Sequence, residues 1–289
     1  MHHKSKAYKA FTFFNTIFLI IVALLCLLPL LHLLAVSLSD KAAANGNLVT
    51  FLPVNFTVNA YSKTFTNSTF LTSIWISLKR TFLGTLLSMF LITTAGYALS
   101  KEFRGRNFFM WFFVFTMLFS GGLIPNYILV TSLGLKDTIW ALILPGAFGA
   151  YNLILIKNFF STIPISLEEA ALIDGASFFT VFRKIYLPLS LPGLATVGLF
   201  IMVGNWNSWF DGILYMSSTD KYPLASFLQT VVVQGNLQDM QLDADSAAAM
   251  SERTLKAAQI FIGALPILSV YPFLQKYFVK GIVMGAVKE

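Results

Sequence analysis

Charge is scarce in this chain, and the scarcity decides its class. Only 11% of the 289 residues are Asp, Glu, Lys or Arg, against 56% hydrophobic residues and 29 phenylalanines. A soluble domain carries about 25% charged residues, so the composition excludes one and points to an integral membrane protein. Cysteine is limited to Cys26, inside the first apolar run, which excludes a disulfide framework and a paired-cysteine metal site. His2 and His3 are terminal, and His32 has no second histidine at ligand spacing. It therefore reads as an interfacial or bundle-facing side chain rather than a ligand. The Gly-x-x-x-x-Gly-Lys-Ser/Thr phosphate loop is missing, so ATP cannot bind by that route. No serine, histidine and carboxylate set and no glycosidase-like pair of acids is present. The expectation is a chain that is not an enzyme and binds no cofactor or metal itself.

What is there is apolar length. Six runs, near 11–36, 72–99, 107–130, 139–159, 191–216 and 255–278, are each long enough for the 20 or so residues of a membrane-crossing helix. The first is too long for a signal peptide and lacks a small-x-small exit, which predicts an uncleaved span. Lys79 and Arg80 stand near the start of the second. They predict an interfacial opening turn, with both side chains reaching outward and the crossing starting near Thr81. Span four is broken by Pro145-Gly146. The polar stretch between spans five and six predicts a short helix outside the membrane. No repeat of two fused halves is visible.

Charge then sets orientation. With the N-terminus inside, the inner segments hold 12 basic and 5 acidic residues and the outer segments 8 and 8. The positive-inside rule places both termini, loop 101–106 and loop 165–192 in the cytoplasm. The whole net charge of +7 lies on that side, which accounts for it without nucleic acid.

Loop 165–192 is the one organised polar interruption. Ser166 and Glu169 have the spacing of a capping box, predicting a helix from Leu167. Gly175 is placed to end it in the left-handed conformation, and Asp174 is expected to turn and cap the next helix. Leu167, Ala170, Ala171 and Asp174 share a face whose middle is two methyl groups wide, a shape that fits a groove on a partner. The second helix would put Phe178, Val181, Phe182 and Ile185 on one face and Thr180, Arg183 and Lys184 on another, suiting a headgroup boundary, with Pro188 as its end. The competing reading is a solvated hairpin that only joins two spans.

Polar and aromatic residues also gather in the outer halves of the spans: Asn126 and Tyr127, Asn152, then Asn205, Trp206, Asn207, Trp209 and Asp211. Asn205 stands about 21 Å along a helix begun at Leu191, past the middle of an apolar layer about 30 Å thick. Amides and indoles there suit a sugar, whose hydroxyls hydrogen-bond and whose ring faces stack. Interfacial anchoring and helix–helix contact by the same residue types are the competing account. Asp211 apart, the spans hold almost no ionisable group, which argues against an ion-coupled carrier and leaves energy to a partner.

The run from Glu169 to Pro192, EAALIDGASFFTVFRKIYLPLSLP, resembles the EAA motif of binding-protein-dependent ABC importer permeases. It is most similar to the carbohydrate, MalG-like branch. The resemblance extends over most of the chain, and SGGLIPNYILVTSLGL at 120–135 further resembles importers of polysaccharide-derived oligomers. It implies an all-α permease of the type I importer architecture, six transmembrane helices in a single domain over 1–289, in the cytoplasmic membrane of a bacterium. It also implies a homologous second permease, a cytoplasmic ATPase dimer carrying ATP and Mg, an external solute-binding protein and an oligosaccharide substrate. The coupling helix would comprise Leu167, Glu168, Glu169, Ala170, Ala171 and Asp174, with Gly175 and Ala176 at its corner and Glu169 facing a basic residue of the ATPase. The tail residues Gly285 and Lys288 would touch the ATPase near its dimer interface. A stand-alone secondary carrier or channel is the alternative function.

Overall fold

The computed structural model describes residues 6–239 and 252–286, with side chains over 6–231 and 253–270. Among the described residues all regular structure is helical. The helices are α1 (Lys6–Ser37), α2 (Lys41–Asn45), α3 (Asn59–Thr66), α4 (Ser68–Ser100), α5 (Arg106–Leu118), α6 (Leu123–Ser132), α7 (Ile139–Ile143), α8 (Ala150–Ser161), α9 (Ile165–Ile173), α10 (Phe178–Val181), α11 (Leu187–Leu189), α12 (Leu191–Asn207), α13 (Phe210–Tyr215), α14 (Leu224–Asp239) and α15 (Glu252–Ala286). Among the described residues, three helices are long and apolar enough to cross a membrane as single rods, and the number reaches six if each of three bent pairs is one span.

The bends fall where the backbone ladder is interrupted. The run 107–130, expected as one helix, turns by 111° between α5 and α6. There Phe119 is extended and Gly122 takes φ +86°, a conformation open to glycine at little cost. Run four bends by 53° at 147–149, just past the expected Pro145-Gly146, which sits in a 3₁₀ turn over Leu144–Gly146. Run five is shorter than expected: α12 stops at Asn207, Ser208 is extended, and α13 begins two residues later. The helix of loop 165–192 meets α12 at 80°. Pro188 does not end that helix. It sits inside α11, and the turn before it, Phe182–Tyr186, widens to the π form with Leu187 N–H bonded to the Phe182 carbonyl. That wider spacing absorbs a proline that lacks the usual donor.

The chain divides into two units, Met1–Ser68 with Thr230–Leu265 and Thr69–Gln229 with Pro266–Glu289. In the first, Ala35, Val36, Ala43, Ala44, Val49 and Ala257 form a small core. His32 there bonds the Thr50 carbonyl at 2.7 Å, a satisfied side chain as expected. Arg253, at the start of α15, donates to the Ala44 carbonyl and to Asn47. The second unit packs Ile92, Leu153, Ile156, Phe160, Val181, Tyr186 and Val197 from α4, α8, the 178–189 segment and α12. At Gly193 a Cβ would stand 2.5 Å from the Phe159 ring, so only glycine lets α12 lie this close to α8. Between runs five and six, where a short helix is expected, α14 covers Leu224–Asp239, and residues 240–251 lie outside the described residues.

Candidate functional site

Helix α9 starts two residues earlier than the capping box predicts. Pro164, extended, is its N-cap and makes no side-chain bond, so Ser166 lies inside the first turn. Its end follows the prediction: Gly175 has φ +83°, its N–H bonds the Leu172 carbonyl, and Ala176 N–H bonds the Ala171 carbonyl. Orphan carbonyls of the last turn are thereby satisfied. Asp174 does not cap the following helix. Ser177 does, accepting from Thr180 N–H at 3.2 Å, because the corner leaves Ser177 at the position where a side chain meets the first free amides.

Leu167, Glu169, Ala170, Ile173 and Asp174 are exposed, with Ile173 86% bare. Ala171 turns inward onto the core with Ala176, so the four-residue face is divided. In the next helix Val181 is fully buried and Phe182 and Ile185 pack against the core, whereas Phe178 is 63% exposed and does not share their face.

Glu168 behaves unlike its neighbour. It is buried, pairs with Lys101 just past the end of α4, and accepts from the Tyr186 hydroxyl at 2.6 Å. The Lys101 ammonium also lies over the rings of Tyr186 at 3.8 Å and Tyr97 at 4.6 Å, where ring quadrupoles attract a cation. Tyr97 packs edge-on to Tyr186 and Phe160 and donates to the Phe178 carbonyl. Burial pushes the Glu168 carboxyl up, but the Lys101 and Tyr186 bonds outweigh it and hold it below its ordinary value. Burial, then the Glu168 carboxylate, push the Tyr186 phenol up. Glu168 was among the expected coupling residues, but Lys101 and Tyr186 carry no local signal: their partner lies 67 residues from one and 18 from the other.

The outer group holds a second ion pair, between a buried arginine and a half-buried aspartate. Arg80 does not reach outward as its place near the start of run two predicted. It is 3% exposed, forks onto Asp211 and donates to the Ser208 carbonyl at 3.0 Å. Asp211 also accepts from the Ser208 hydroxyl and the Gly212 N–H. An arginine this far from water is held by a bidentate partner, here supplied by the break between α12 and α13. Lys79 lies over Trp75 at 5.1 Å.

The rest of that group is not gathered into one cavity. Trp206 is buried and Trp209 is 42% exposed. The Asn205 amide lies against Gly84, where a Cβ would stand 2.9 Å from it. Asn152 is half-buried beside Gly149. Tyr127 stacks on Tyr215 with centroids 6.2 Å apart and accepts from Lys136, and Asn126 is exposed. Beyond α6, Asp137 has φ +66° and binds Lys221 and the Ser217 N–H. Those bonds, that of Lys221 first, keep its carboxyl below the ordinary range. Of the expected tail contacts, Gly285 falls in the last turn of α15, and Lys288 lies outside the described residues. No cluster of metal ligands occurs among the described residues.

Residues 94–284 match the model of the binding-protein-dependent transport system inner membrane component family. The chain is 44% identical over 287 residues to protein LplC of Bacillus subtilis (strain 168), covering 99% of this chain and 97% of that protein. It is 43% identical to the polygalacturonan/rhamnogalacturonan transport system permease protein YtcP of the same strain, over 94% and 96% of the two chains. Among solved structures, a chain of a bacterial ABC transporter involved in the import of the acidic polysaccharide alginate superposes with a TM-score of 0.85 at 33% identity, covering 96% of this chain and all of that one.

Proposed function

The chain belongs to the family of binding-protein-dependent transport system inner membrane components, and from that premise we infer that it is one of two permease subunits of an ATP-driven oligosaccharide importer. It crosses a bacterial cytoplasmic membrane six times with both termini inside, the bent pairs each serving as one span. A cytoplasmic ATPase dimer, which carries the ATP and Mg, docks on α9. A homologous permease completes the pore, and an external solute-binding protein delivers the sugar.

One observation carries the reading. The Gly175 corner leaves Leu167, Glu169, Ala170 and Ile173 bare on a helix whose other side is fixed through Glu168. An apolar, small-residue ridge that carries the exposed Glu169 carboxylate, with Asp174 exposed at its end, fits a groove that offers a basic group. Glu168 therefore serves the same helix from its inner side, while Glu169 meets the ATPase. Gly285 and Lys288 would meet it from the tail. For the sugar path, Asn126, Tyr127, Asn152, Asn205 and Trp209 supply the contacts, and Asp211 and Trp206 hold the frame around them. Since YtcP is named for polygalacturonan and rhamnogalacturonan and the alginate importer for an acidic polysaccharide, acidic oligosaccharides are the first substrates to try.

The test is co-expression with the partner subunits, extraction in detergent and reconstitution. Glu169→Ala and Gly175→Pro are expected to insert normally, lose the co-purifying ATPase and abolish uptake. Wild-type uptake by both variants would contradict the reading.

A further inference from the structure

Two neighbouring carboxylates of α9 face opposite ways, and the inner one sits in a built site. Glu168 is joined to Lys101, past the last turn of α4, and to Tyr186, in the π turn that leads to α12. Lys101 is in turn held over Tyr97 and Tyr186, and Tyr97 grips the Phe178 carbonyl beyond the Gly175 corner. Three segments, at 97–101, 168 and 178–186, the first of them far from the others in sequence, thus meet at one charge. Apolar packing between them would slide under load, because dispersion contacts have no direction. A charged pair closed by a hydroxyl and two ring faces does have direction, and breaking it leaves a buried carboxylate alone.

Resting on the coupling reading above, we propose that Lys101, Glu168 and Tyr186 form a rigid linkage that carries displacement of α9 into α4 and α12, so that these are positioning residues for energy coupling. The linkage stays closed throughout the transport cycle, and α9, the end of α4 and the 178–186 segment move as one body. Glu169 meets the motor, and Glu168 passes the stroke inward.

The experiment uses the complete importer in proteoliposomes and reads sugar molecules imported per ATP hydrolysed. Glu168→Gln and Lys101→Met are expected to keep the co-purifying ATPase and its hydrolysis within twofold while the import ratio falls at least tenfold. The exchanged pair Lys101→Glu with Glu168→Lys is expected to recover part of that ratio. A second measurement covers variants that fold poorly: cysteines at 101 and 168, with Cys26→Ser, are joined by a short bis-maleimide. Joining them is expected to raise the ratio above that of the unjoined protein, because the linkage never opens. An unchanged ratio in Glu168→Gln, or a cross-link that stops import, would overturn the proposal. If the wild-type complex fails to bind an ATPase at all, it is the coupling reading that falls.

Discussion

Helix α4 carries one ion pair within its first half, at Arg80, and meets another just past its end, at Lys101, and the two are built differently. Arg80 and Asp211 enclose one another: the arginine side chain is 4% exposed, and Asp211 is further bound by Ser208 and its neighbour's N–H. Every partner lies in the few residues where α12 gives way to α13, so the pair pins a break in place. Lys101 is 24% exposed and shares its charge among a carboxylate from α9 and two tyrosine rings on different segments. The first pair closes on one spot and the second spreads over three. The same chemistry can therefore lock a helix break or tie moving segments, according to how many elements its partners come from.

The comparison breaks most visibly at Arg80. Arg80→Met leaves the half-buried Asp211 without its partner, a loss below the roughly 3–5 kcal/mol of a fully buried pair, and is expected to lower sharply the recovery of monodisperse protein from detergent extracts. The double variant Arg80→Met with Asp211→Leu is expected to regain most of the yield, since an apolar pair of similar volume is often tolerated. Equal yields for the single and double variants would remove the lock. Gly175→Ala comes next, costing about 1–2 kcal/mol from the left-handed torsion alone, because nothing lies within 4 Å of the added methyl. A melting curve should show that loss, and an unchanged midpoint would mean the corner relaxes.

The inner pair sharpens the contrast through pH. The folded Glu168 carboxyl lies below its ordinary value. Its contribution is therefore fully present above the unfolded pKa, about 4.3, and is lost as pH falls through the folded one. The stability gap between wild type and Glu168→Gln is expected at pH 7 and should begin to narrow as pH falls below the ordinary carboxylate value, about 4.3. A gap that does not narrow as the solution is acidified would show that the side chain works by shape and not charge. The smallest effect belongs to Lys221→Ala. Its pair with Asp137 is exposed, so the melting midpoint should hardly move, and less so in high salt.

Much of this was legible in the sequence where one residue type answers one local need. Gly175 was readable because only glycine takes that torsion freely, and the interruption of run four near Pro145-Gly146 because proline withholds a donor, although the bend itself falls just beyond, at 147–149. Ser166 misled because Pro164 opens the helix sooner, leaving the serine past the point where capping is useful. The 111° bend was hidden in an apolar run, since hydropathy sums side chains and ignores torsions, although Gly121-Gly122 marked the place. Arg80 was misread for a different reason: its partner stands 131 residues away, and no window along the chain joins them.

Uptake by the reconstituted importer, with ATP inside the vesicles or an ion gradient across them, tests the central claim most directly. The account predicts oligosaccharide accumulation only with internal ATP, lost in Glu169→Ala and indifferent to collapse of the gradient. Accumulation that proceeds without ATP and disappears with the gradient would contradict it.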